Sequence, residues 1–199
     1  MSVQQNLLQG IPPEQAAVVM LCGPHKDPTN QEYSPQFHRI DAATEVARQL
    51  GIRLFVAGDA TGGRDVALFV ARARAAGVEA IEVYDAIGNT EGDVCATLRR
   101  LLIAEFAGIR HLVLVTGFAH TIRVFEWFNR MKPQILGTER PLTFSFHPVM
   151  EQVTEQEMLG EIKGIVDCRL GRERDPYGPP IGKPSEAAIA SYDSSGQTH

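Results

Sequence analysis

The sequence predicts an α/β fold: a Rossmann-like open, mostly parallel sheet of about five strands with helices on both faces, forming a single domain followed by a C-terminal tail. Two observations predict it. Short apolar runs and amphipathic helical stretches alternate four times along the chain, at a β-α period of roughly thirty residues with no other internal repeat. Polar, often glycine-bearing junctions follow the apolar runs, as they do where parallel strands end along one ligand-binding edge.

Residues 1–15 read as an N-terminal extension, 16–170 as the domain and 171–199 as a Pro- and Ser-rich tail. Ala16–Gly23 is a continuous apolar run closed by Gly-Pro and reads as a buried, central first strand. Pro24–Phe37, with Pro24, Pro28 and Pro35, is too broken for an element and reads as a lid or binding loop. His38–Leu50 places Ile40, Ala43, Val46, Ala47 and Leu50 at helical spacing, with Gly51 as the stop. Arg53–Gly58 is the second strand, and a helix from Arg64 to Ala76 ends at Gly77. Ala80–Asp85 is the third strand, Thr90–Phe106 the third helix, and His111–Thr116 the fourth strand. Ala119–Met131 is the fourth helix, closed by Lys132-Pro133. Leu142–His147 alternates as an edge strand does, and Thr154–Leu170 gives a last helix with Met158, Leu159, Ile162, Ile165 and Val166 on its apolar side.

Composition narrows the function. A formal net charge of -5 gives no global basic footprint for nucleic acid or an anionic membrane. No basic, apolar leader opens the chain, and no apolar run reaches the ~18 residues of a membrane helix. A soluble, cytoplasmic protein is expected, binding neither nucleic acid nor membrane; a homo-oligomer is left open. Cys22, Cys95 and Cys168 lack metal spacing and read as reduced packing thiols.

The candidate chemistry sits at the strand ends. Thr116-Gly117-Phe118-Ala119-His120-Thr121-Ile122-Arg123 runs from a strand into a helix and puts His120 and Arg123 on one face of its first turns. A cation there opposes the helix macrodipole, which makes better sense if an anion binds between Arg123 and the loop; the alternative is an ion pair with a carboxylate such as Asp85. Arg39 heads the first helix in the same unfavourable position. The stretch Gly58-Asp59-Ala60-Thr61-Gly62-Gly63-Arg64-Asp65 opens a helix, and its backbone N–H groups suit a phosphate, carboxylate or ribose. Asp59 and Asp65 there could accept ribose or amine hydrogen bonds or cap the helix. Asn89 or Thr90 suits an N-cap, with Asp93 returning a capping-box bond, and Asp85 at the strand end exceeds what capping needs.

Together VVMLCG, Arg39, FVAGDATGGRD, IGNTEGD and VTGFAHTIR resemble the motifs of the YdcF-like family, which includes the bacterial ElyC and SanA proteins. The resemblance runs from about Val18 to Met131, with Ala57, Gly88 and Gly92-Asp93 departing from the usual residues. It implies a Rossmann-like fold and, for the soluble members, S-adenosylmethionine binding.

The expectation is a small-molecule-binding protein, an enzyme, taking an S-adenosylmethionine-like, nucleotide or phosphorylated ligand at the strand ends. Its ligand contacts are Gly23, Arg39, Gly58, Asp59, Gly62, Gly63, Asp65, Asn89, Thr90, Asp93, Thr116 and Arg123, and its catalytic residues His120 and Asp85. His120, with an ordinary pKa near ~6.5, suits proton transfer at neutral pH. The rival readings are a hydrolase or transferase at a phosphoryl or glycosyl-phosphate centre, with Asp85 or Asp59 as base or metal ligand, and a non-catalytic ligand sensor.

Overall fold

The computed structural model describes residues 7–22, 35–59, 64–85 and 90–170. Its elements are β1 (Ala16–Leu21), α1 (Pro35–Leu50), β2 (Arg53–Asp59), α2 (Arg64–Ala75), β3 (Ala80–Asp85), α3 (Thr90–Arg100), β4 (His111–Gly117), α4 (Thr121–Leu136), β5 (Thr143–Val149) and α5 (Glu155–Leu170). The five strands form one sheet in the order β3-β2-β1-β4-β5. Every pairing is parallel, with Val19 opposite both Phe55 and Leu114.

β1 is buried on both faces because it lies at the centre, and the pleat divides its side chains between two cores. Ala16, Val18 and Met20 pack with Ile40 and Ala43 of α1 and Val66 and Phe69 of α2. Ala17, Val19 and Leu21 pack on the other face with Val94 and Leu98 of α3 and Val124, Trp127 and Phe128 of α4. Full burial of each large side chain stabilises by about 1.5–3 kcal/mol. The first two helices end where Gly51 (φ 65) and Gly77 (φ 80) take the left-handed conformation that closes a helix at little strain. None of the three cysteines forms a disulfide.

Several boundaries differ from the expectation. α1 begins at Pro35, which suits a first helical turn because its missing N–H would have no partner there; Arg39 therefore sits a turn inside the helix. α3 stops at Arg100, and a 3-10 turn at Ala104–Phe106 swings Phe106 edge-on against Phe55, 5.2 Å between centroids. α4 continues through Pro133 to Leu136. The hydrogen bond that proline deletes belongs to the carbonyl of exposed Asn129, while Ile135 and Leu136 gain packing on the core.

The largest correction concerns α5. Its start matches the sequence, with a reciprocal capping box in which the Thr154 N–H donates to Glu157 and the Glu157 N–H donates to the Thr154 hydroxyl. Its orientation does not: Met158, Leu159, Ile162 and Val166 are exposed, while Gly164 and Cys168 are buried. The small residues let α5 lie close on α4, where a Cβ at Gly164 would stand 2.8 Å from Arg123 Cδ.

Candidate functional site

The chain passes from β3 through α3 to β4 across β1, so strand order reverses between β1 and β4. In open α/β sheets the crevice outside the carboxyl ends at such a switch point is where ligands bind. Here it is bordered by the start of α1 after β1 and by the 3-10 turn Phe118–His120 and α4 after β4.

Two polar clusters stand at the end of β4. The first is a fork: Arg39 donates from Nε to Glu151 Oε1 at 2.5 Å and from Nη2 to Oε2 at 2.7 Å. Both side chains are largely buried, at 12% and 7% exposure, so deleting either partner uncovers a charge at a cost of about 3–5 kcal/mol. The pair fits because Gly117 has no side chain: a Cβ there would stand 2.7 Å from Arg39 Nη2 and closer still to the Glu151 carboxylate.

The second cluster joins three helices. His120 Nδ1 lies 3.0 Å from Glu161 Oε2 on α5, and Arg123 Nε donates to the same oxygen at 2.9 Å. Arg123 Nη2 donates to Glu161 Oε1 at 3.2 Å. His120 Nε2 faces the Thr90 hydroxyl of α3 at 3.4 Å. The three charged or ionisable side chains are 14–19% exposed. Burial, reinforced by Arg123 and Arg39, lowers the His120 pKa against the opposing pull of Glu161, so the ring is neutral at pH 7. Burial pushes the Glu161 carboxyl up, but the His120 hydrogen bond and the Arg123 charge outweigh it and hold it below its ordinary value.

These charges determine the tautomer. An ionised Glu161 only accepts, and a bare Nδ1 lone pair 3.0 Å from its oxygen would be repelled. Nδ1 therefore carries the hydrogen and donates it to Glu161, in competition with Arg123, whose Nε and Nη2 stand 3.3 and 3.1 Å from the same nitrogen. Nε2 keeps its lone pair.

Of the residues the sequence singled out, Arg39, Thr90, Thr116, His120 and Arg123 come to this edge. Thr116 is fully buried on the pleat face of Leu112 and Leu114, and its hydroxyl has no hydrogen-bond partner among the described residues. Asp93 is buried in the first turn of α3, beside Glu91, where acidic groups complement the helix dipole. Gly58 serves packing: a Cβ there would stand 2.8 Å from Val66 Cγ2 and 3.0 Å from Cys22 Cβ. Asp59 and Asp85 are register partners at the ends of β2 and β3. Their side chains and that of Asp65 lie outside the described residues, as do Gly23, Gly62, Gly63 and Asn89.

Sequence reasoning missed Glu151, Glu161 and Gly117. It offered Arg123 a carboxylate such as Asp85; the partner is Glu161. A signal existed for Glu161, which precedes Gly164 and Cys168 at helical spacing on the side α5 turns inward; none existed for Glu151. Among the described residues, no group of three or more His, Cys, Asp or Glu side chains could hold a metal ion, and no helix is long and apolar enough to cross a membrane. No protein-family model matches the chain, and no curated protein matches it.

Proposed function

We propose that this protein is a cytoplasmic enzyme that binds a small polar ligand, S-adenosylmethionine-like, nucleotide or phosphorylated, outside the carboxyl ends of β1 and β4. His120 is its proton-transfer group. The observation that carries this reading is the His120 imidazole, held at Nδ1 by Glu161 3.0 Å away, beside the topological switch point. The motif resemblance to the YdcF-like family supports the same ligand class.

The two Arg–Glu pairs favour a ligand that carries both signs of charge. Arg39 and Arg123 offer donors to a carboxylate or phosphate only in competition with Glu151 and Glu161. Those carboxylates in turn suit an ammonium or sulfonium group. S-adenosylmethionine has a carboxylate, an ammonium and a sulfonium and, when bound, would supply an electrophilic methyl group. Thr90 and the buried Thr116 hydroxyl would orient a ligand, and His120 would take a proton at Nε2.

A thermal-shift panel of S-adenosylmethionine, nucleotides and sugar phosphates tests this. A ligand at a hundred times its Kd adds about 2.7 kcal/mol, roughly 5–10 °C in Tm for a chain of this size. No shift with any of them would overturn the reading in favour of a non-catalytic role.

A phosphoryl or glycosyl-phosphate hydrolase or transferase is the second reading, favoured by the adjacency of Asp59 and Asp85 at neighbouring strand ends. Turnover of a phosphate ester that chelators abolish would select it. The exposed apolar side of α5 supports a homo-oligomer, which sedimentation at micromolar concentration checks.

A further inference from the structure

We infer that Glu161, on the last helix, is the positioning residue that makes His120 a base at Nε2, directed at a hydroxyl lodged beside that of Thr90. The inference rests on the proposed role of His120 and adds the direction in which the proton moves. A ligand hydroxyl, or a water, gives its proton to Nε2 while the electron pair stays on the oxygen. The imidazolium so formed keeps its Nδ1–H on Glu161, whose negative charge offsets the new positive one. The group that His120 deprotonates is therefore a protic oxygen, of the ligand or of a water.

The surroundings of the ring assign the parts. Thr90 faces it from α3, Arg123 from α4 and Glu161 from α5, and Arg39 of α1 acts on it through space. Among the described residues, Glu161 is the carboxylate in contact with the ring. Arg123 holds both Glu161 oxygens. A cluster serving only to pin α5 on α4 would need the Arg123–Glu161 fork alone. It would give no reason for the imidazole to bring Nε2 to the Thr90 hydroxyl.

Nitrogen-15 NMR of the histidine rings in the full chain tests this without a known ligand, with His120 assigned by its loss in His120→Gln. The expected spectrum shows His120 as the Nδ1–H tautomer. Glu161→Gln, close to isosteric, is expected to keep that tautomer through its amide oxygen and to move the His120 titration midpoint downward. Glu161→Ala is expected to shift the ring toward the Nε2–H form that dominates in free histidine, and Glu161→Asp to restore the wild-type form in part. Unchanged resonances of His111 report that the fold survives. Wild-type His120 carrying its hydrogen on Nε2, or a midpoint that Glu161→Gln leaves in place, would overturn the inference. A ligand panel without a hit, beside the expected tautomer, would overturn the proposed ligand class and leave the role of Glu161 standing.

Discussion

Two histidines at opposite ends of β4, His111 fully buried and His120 largely so, share a residue type and a lowered pKa and differ in the partners of their rings. His111 opens the strand among neutral partners: Nδ1 lies 2.7 Å from the Thr143 hydroxyl, and Nε2 lies 2.8 Å from the Leu7 carbonyl and 2.9 Å from Ser145 Oγ. A carbonyl only accepts, so His111 carries its hydrogen on Nε2 and both nitrogens are satisfied within the protein. His120, just past the strand's end, carries its hydrogen on the other nitrogen, held by a carboxylate beside an arginine. Among the described residues, its Nε2 meets a long contact with the Thr90 hydroxyl. A buried histidine saturated by neutral groups is a structural tie; one oriented by a charge pair is the candidate for the proposed proton transfer.

The largest test of this contrast is stability. His111→Ala leaves the groups around the ring without partners and opens a cavity, and is expected to lower unfolding free energy by about 3 kcal/mol. His120→Ala keeps the Arg123–Glu161 fork and is expected to lose about 1 kcal/mol. Urea unfolding measures both, and equal losses would erase the distinction. Next comes Glu161→Ala, expected to lose about 2 kcal/mol because it uncovers Arg123 in a largely buried cluster, with Glu161→Gln losing less.

Acidification separates the histidines from the carboxylate. Burial lowers both histidines in the folded chain, so below their ordinary value of about 6.5 the unfolded chain binds protons that the folded chain refuses. Stability is full above that pH and falls as pH drops through it toward the folded values. Glu161, also held low, adds a second loss that begins below its ordinary value of 4.5. Tm measured between pH 8 and about pH 3 is expected to decline in these two stages, and His120→Gln to flatten part of the first. A loss as small as that of His120→Ala is expected of Gly164→Ala: its methyl meets Arg123 Cδ at 2.8 Å, and a shift of that flexible side chain loses about 1 kcal/mol. The same change is expected to disturb the His120 resonances while sparing those of His111.

Much of the fold was legible because its signals are local. β1 reads as central from an unbroken apolar run, and α1 and α2 stop at glycines that take positive φ. Pro133 misled because a proline late in a helix deletes one bond, and packing of the following turn outweighed the loss. α5 misled more deeply, since its apolar side faces outward and its inward side is read by size, Gly164 and Cys168 close against α4. The site divides the same way. His120, Arg123 and Thr90 lie at strand-to-helix junctions, and a strand pattern followed by a helix pattern is enough to place them on one edge of a parallel sheet.

By itself, then, the sequence determined that this is a parallel α/β sheet and which junctions meet at its carboxyl edge, because hydrophobic period and turn chemistry act within a few residues. Only the tertiary structure decided what the arginines there face. Arg39 and Glu151 are 112 residues apart, and Arg123 and Glu161 are 38 apart. Such pairs are made by the docking of β5 and α5, which no local pattern encodes. The same docking decides which nitrogen of His120 is free, since a tautomer is chosen by the partner of the opposite nitrogen, and that partner arrives from the far end of the fold.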